Sequence, residues 1–341
     1  MKTSSQNEPE WHGLPARGQR SCQSGVARAS SPWTAKPPDR SGAGVSPASG
    51  EARASSPCAL LPTSLPFPLP PPPPPPPPTA VIACSVLEDE IREFAAGLPH
   101  IAALHFLPQG LHNEPARLRE RLKETVAAIE TEGRAHEIAL AYGVCSRGIE
   151  NIPLRRCRMI VPRAHDCITL LLGSKERYQE YQQKNPAIYW YSPGWNKCHA
   201  APGPDRFAKL RAEFLKKFPE EEADYLVEME KELHAHYTTA AYVDLGVGDA
   251  DANIAYTRRC ACWMGWDFLQ VRGDPQLLRD LLAGVRDDER FLTVEPRQFV
   301  QLSIDDRVIK AVDEPLPPPP ASALPPPPAS SHDPHAAPPH A

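Results

Sequence analysis

Along the chain from residue 80 onward, apolar and polar positions switch repeatedly between a strand-like and a helix-like period. Apolar runs at 80–83, 101–107, 137–142 and 158–161 predict four strands, and the stretches between them carry helical spacing. The acidic trio Glu88, Asp89 and Glu90 suits the positive end of a helix that runs to about residue 96. Pro115 sits in the first turn of a second helix ending near residue 132, with Leu118, Leu122, Val126 and Ile129 on one face. After the fourth strand, Asp166 is a natural cap for a helix over about 168–183, and an aromatic strand follows at 187–191.

The second half repeats the alternation. Residues 205–236 are long, charged and helical in pattern, with a break at Pro219, and such a length bridges two halves. Strands are expected at 240–245, 268–271 and 291–294, helices near 250–264 and 275–282, and an edge strand at 299–304. The fold class is therefore α/β, with mostly parallel sheets, flanking helices and right-handed crossovers. We expect two Rossmann-like lobes joined by a long helix with a cleft between them, a single continuous sheet being the alternative. The expected lobes are 80–200 and 238–314, with 201–237 connecting them.

Composition limits the folded part to the middle of the 341 residues. Residues 1–79 are rich in Ser, Pro, Ala and Arg, repeat the hexapeptide of 27–32 at 52–57, and end in nine consecutive prolines at 70–78. They offer too little apolar area to offset chain entropy and are expected to be disordered, the prolines forming a stiff polyproline II rod. The Pro/Ala/His tail at 315–341 is read the same way. Seven Lys or Arg against four acids in 1–79 give a transit-like bias, but the prolines spoil an amphipathic helix, and a start nearer residue 80 is an equal reading. Neither a signal peptide nor an apolar run long enough for a membrane span is visible, so a soluble cytoplasmic protein is expected, without a membrane partner. A net charge of −5 with no basic stripe argues against nucleic acid. Nine cysteines, an odd number with no export signal, point to reduced thiols.

Three of those thiols carry the candidate chemistry. Cys84, Cys145 and Cys167 each fall just beyond a predicted strand. In a parallel sheet ordered second-first-third-fourth, these strands are neighbours, and their following loops meet at the C-terminal rim where open α/β sheets bind ligands. Three thiolates with His165 as fourth ligand form a set that zinc prefers. An iron–sulfur cluster, a dithiol redox pair and plain buried thiols are the competing readings. Arg147 and Gly148 suit an anionic ligand, and Asp244, with Asp249 and Asp251, is placed as a rim carboxylate facing the thiols. Trp195, with Tyr189, Trp190 and Tyr191, supplies an aromatic wall, and the lone Gly246-Val247-Gly248 lacks the third glycine of a dinucleotide fingerprint.

The segments Tyr142-Gly143-Val144-Cys145, Pro162-Arg163-Ala164-His165-Asp166-Cys167-Ile168 with Gly173-Ser174, and Tyr191-Ser192-Pro193-Gly194-Trp195 resemble the domain of unknown function 1638 family of bacteria and archaea. The resemblance spans most of 80–305 and names no reaction. It implies a coherent domain, and it implies association with corrinoid-dependent methyl-transfer systems. Relatives often carry a Gly-rich turn where this chain has Ser146 and Arg147. The expectation is thus a metal-binding thiolate site, with zinc the first choice of metal, taking part in methyl or other group transfer. The rivals are a non-catalytic accessory protein binding metal, corrinoid or a small ligand, and an iron–sulfur or dithiol redox protein.

Overall fold

The computed structural model describes residues 75–144, 147–199 and 201–314. The N-terminal segment to residue 74, the tail from 315 and the candidate ligand Cys145 lie outside the described residues.

Strands β1 (Thr79–Cys84), β2 (Ile101–Leu107), β3 (Glu137–Ala141) and β4 (Arg158–Pro162) run parallel in the order β2-β1-β3-β4. Every residue of β1 is buried, which is why this strand reads as an unbroken apolar run rather than an alternating one. The covering helices are α1 (Glu88–Ala95), α2 (Pro115–Glu132) and α3 (Cys167–Leu172), with α4 (Lys175–Lys184) continuing the chain outward. Helix α2 starts with Pro115 and buries Leu118, Leu122, Val126 and Ile129 as its spacing demands. Its buried Glu130 collects the backbone N–H groups of Arg155, Arg156 and Cys157 at 2.8–3.0 Å, which fixes where β4 begins. The helix expected over 168–183 is two helices. Gly173, at φ +88°, terminates α3, and the Ser174 hydroxyl accepts from the Arg177 N–H to start α4.

The second sheet holds three parallel strands, β5 (Ile188–Tyr191), β6 (Thr239–Asp244) and β7 (Asp267–Arg272), in that order. Between β5 and β6 the chain forms α5 (Pro193–Lys197), α6 (Pro204–Phe214) and α7 (Glu220–Glu232). The bridging segment is therefore an α6–α7 hairpin rather than one long helix, because Pro219 stands at the N-cap of α7 and cannot continue α6. Helix α8 (Ala250–Met264) packs on β6 and β7.

Two strands change sheets relative to the sequence reading. Residues 291–294 were expected in the second series but form β8 (Phe291–Val294), antiparallel to β4 at the edge of the first sheet. The aromatic strand β5, expected in the first series, pairs with β6 instead. The placement of β8 follows from α9 (Gln276–Ala283), which packs on α1, α3, β3 and β4 and so delivers the chain to the first sheet's free edge. The expected edge strand is β9 (Gln298–Leu302), paired only with β10 (Ile309–Asp313) as an antiparallel ribbon. The buried Arg163 guanidinium holds that ribbon down by donating to the carbonyls of Asp288, Arg307 and Ile309.

The two halves share one core instead of facing each other across an open cleft. Ile188, Trp190, Ala241 and Val243 belong to the same buried cluster as the first sheet, while Tyr191, Ala240 and Tyr242 point the other way onto Cys260 and Ala261 of α8. This is strand alternation at period two, with both faces buried. No helix among the described residues is long and apolar enough to cross a membrane.

Candidate functional site

Parallel strands point their C-terminal ends at one rim, and there the first sheet encloses a small cavity. Cys84 ends β1, Tyr142 and Gly143 follow β3, Cys167 opens α3, and all four line the cavity. The loop after β2 adds Gln109 and His112, and α5 adds Trp195. The volume is about 20 Å³, room for one water-sized occupant and no organic ligand.

Glycine makes this convergence possible. A Cβ on Gly143 would lie 2.5 Å from the Cα and N of Asp166, so the exits of β3 and β4 are in backbone contact. On the opposite wall, a Cβ on Gly194 would strike the Val86 carbonyl, which seats the first turn of α5 against the chain just beyond Cys84. The Ser192 hydroxyl accepts from the Trp195 N–H at 3.3 Å and starts that helix.

The chemistry of the lining is soft and poorly solvated. Burial pushes the Cys84 thiol up to about 11, opposed by hydrogen bonds from the Val86 N–H and the Tyr142 hydroxyl, with Cys198 adding to the rise. Without a cation nearby, Cys84 is a neutral thiol at neutral pH. Burial also lowers the pKa of His112, against the opposing charge of Asp166, so its imidazole is neutral and able to coordinate. Its ring meets the Trp195 indole edge-on at 5.9 Å, and the buried Trp195 Nε1 has no hydrogen-bond partner among the described residues.

Asp166 has two tasks here. Its carboxylate accepts from the backbone N–H of Thr169 at 2.9 Å and from its hydroxyl at 3.1 Å, capping α3 behind Cys167. Asp166→Ala is expected to lower stability by about 1 kcal/mol in urea unfolding and to lower the His112 pKa further in an NMR titration. An unchanged His112 titration would show that the carboxylate charge does not reach the cavity.

Of the residues expected at the site, the structure brings together Cys84, Cys167 and Trp195. Cys145 lies outside the described residues, two positions beyond Gly143. His165 is exposed and does not line the cavity. Arg147 is directed to solvent, with φ +54° and an ion pair to Glu150 at 2.9 Å. Gly148 is buried where a Cβ would strike Leu118, so its smallness serves packing against α2. Asp244 ends a strand of the other sheet, where its carboxylate accepts from the Gly246 N–H at 2.8 Å to shape the following turn. Asp249 caps α8 through the Ala252 N–H at 3.0 Å. The aromatic strand fills core: Trp190 packs with Tyr178 and Tyr181, and Tyr189 stacks on Trp266 at 5.8 Å.

His112 was missed by sequence reasoning. The rule that collected the cysteines, that loops after parallel strands share a rim, applies equally to the loop after β2 and would have collected it. Among the described residues, no three His, Cys, Asp or Glu side chains are grouped closely enough to hold a metal ion.

A family model described as "Protein of unknown function (DUF1638)" matches residues 106–282. No curated protein and no solved structure matches the chain.

Proposed function

The chain belongs to the DUF1638 family, and from that premise we propose that the rim cavity is a thiolate site for a single metal ion, zinc, serving methyl or other group transfer. The observation that carries this reading is that Cys84 and Cys167, more than eighty residues apart in the chain, line one cavity of about 20 Å³. That volume suits a single ion. The lining supplies donor types that zinc prefers, two thiols and a neutral imidazole on His112 in an apolar surround; among the described residues these are not grouped closely enough to hold an ion, so the proposal requires them to draw together around it. The proposal assigns the third thiolate to Cys145 and moves the fourth ligand from His165 to His112.

A bound zinc supplies Lewis acidity that lowers the pKa of a coordinated thiol or water. The chain's own residues do the rest. Cys84 gives up its proton to solvent when a cation arrives, since burial without a counter-charge keeps it protonated. The Trp195 N–H, without a partner among the described residues, would be a donor for an acceptor group on whatever enters the cavity. Because a proton must leave Cys84, metal affinity is expected to fall as pH is lowered, readable by a zinc-chelator competition between pH 8 and pH 6. An affinity independent of pH would mean that Cys84 is not a ligand.

The direct experiment is elemental analysis of the full-length chain purified without oxygen, beside Cys84→Ser, Cys145→Ser, Cys167→Ser, His112→Ala and His165→Ala. About one metal per chain is expected in the parent and in His165→Ala, and little in the three serine variants. Folded parent protein without metal, or metal content untouched by Cys84→Ser, overturns the proposal.

A further inference from the structure

Helix α7 carries an apolar stripe that nothing in the described structure covers. Its inner side buries Ala223 and Val227, while Tyr225, Met229 and Leu233 stand 65%, 48% and 64% exposed at i, i+4 and i+8. Leu215 and Phe218, 41% and 39% exposed, add to the patch in the turn before the helix. Five of the seven large hydrophobic residues exposed among the described residues thus fall within 215–233. Scattered single exposures need no explanation, but a contiguous stripe marks a surface that is covered in use.

The charge around the stripe says what covers it. Residues 220–232 hold seven carboxylates and one lysine. Arg211 takes Glu220 and Asp224, and Lys231 is drawn over the Trp263 ring at 4.6 Å. Glu221, Glu222 and Glu232 form no ion pair among the described residues, Glu228 is paired with Lys231 at 2.8 Å, and all four lie within four positions of Tyr225 or Met229. The apolar stripe is therefore bordered by carboxylates. A second copy of the same helix laid across it would set acid against acid, whereas lysines and arginines flanking an apolar row would pair with both features at once.

We propose that the exposed face of α7 is the docking surface for a basic amphipathic helix of a partner protein. Apolar side chains of that helix, repeating every three or four residues, interdigitate with Tyr225, Met229 and Leu233, and its Lys and Arg meet Glu221, Glu228 and Glu232. This surface belongs to the α6–α7 hairpin and is independent of the rim cavity, so it stands or falls without the metal reading.

The probe is a short synthetic amphipathic helix of leucine and lysine carrying a fluorophore, titrated with the full-length chain by anisotropy. Saturable binding that weakens with added salt is expected. The triple variant Tyr225→Ser, Met229→Ser, Leu233→Ser should weaken it at least about tenfold, and Glu221→Gln with Glu228→Gln and Glu232→Gln should weaken it and flatten its salt dependence. All six positions are exposed, so neither variant threatens the fold. Absence of binding, equal binding of a leucine–glutamate version, or indifference to the serine variant overturns the proposal. So does a dimer in sedimentation that the serine variant dissolves, since the occupant would then be a second copy.

Discussion

Replacing Glu90 with glutamine is expected to stabilise the protein progressively as pH rises from about 4.5, by about 3 kcal/mol relative to the parent at pH 8. Glu90 lies on α1 with 0% exposure, and neither carboxyl oxygen has a hydrogen-bond partner among the described residues. Burial is the main cause that pushes its pKa from 4.5 up to about 7; its own nearby backbone N–H opposes that rise, the neighbouring Asp89 adds to it, and Lys197 opposes it further. The sign follows from linkage. Below pH 4.5 the carboxyl is protonated in both folded and unfolded chains and costs nothing. Between 4.5 and 7 the unfolded chain releases its proton and the folded one keeps it, so stability drains away and stays low above 7. Glutamine does not titrate and escapes that loss. Urea unfolding at a series of pH values should show the two curves diverging through this window and running parallel above it. The exposed Glu93→Gln should follow the parent throughout. Parallel Glu90→Gln and parent curves over the whole range would mean that the buried carboxyl is solvated or paired after all.

Glu90 also shows what the sequence could not reveal. Read along the chain, Glu88, Asp89 and Glu90 are equivalent partners for a helix dipole, and only packing singles out the third for burial. Elements with strong local signals were legible: Ile101–Leu107, Pro115–Glu132 and Ala250–Met264 fall where periodicity and caps put them. That Cys84 and Cys167 line one cavity needs only parallel strands and a shared rim. Sheet membership of β5 and β8 was not legible: that of β8 depends on which surface α9 covers, and β5 pairs with a strand about fifty residues further along the chain. His112 went unseen because it sits in a five-residue 3-10 helix, too short to set a hydrophobic period. Arg147 and Gly148 misled for the opposite reason. A glycine beside an arginine looks like an anion loop, yet Gly148 is small to fit Leu118 and Arg147 is engaged by Glu150. Glycine in a sequence announces either a turn or a close approach, and only the second residue of the contact tells which.

Gly143 is the position where that distinction carries the largest mechanical consequence. Gly143→Ala places a methyl carbon 2.5–2.7 Å from three backbone atoms of Asp166, about an ångström inside van der Waals contact. No rotamer change relieves the overlap, because the obstructing atoms are main chain, and they sit at the N-cap of α3, whose first residue is Cys167. The exits of β3 and β4 must therefore part, at an expected cost of about 3 kcal/mol. The same displacement carries Cys167 away from Cys84, so the relative positions of the two thiols and the stability of the fold are set by one missing methyl. Gly110→Ala, in the turn between β2 and α2 with nothing within 4 Å of the added carbon, is the matched control and should stay within about 0.5 kcal/mol of the parent. Urea midpoints separate the two variants, and the rate of alkylation of Cys84 reports the wall: faster in Gly143→Ala as the cavity opens, unchanged in Gly110→Ala. If Gly143→Ala kept both the parent's midpoint and its alkylation rate, the close approach of the two loops would not be holding the rim together.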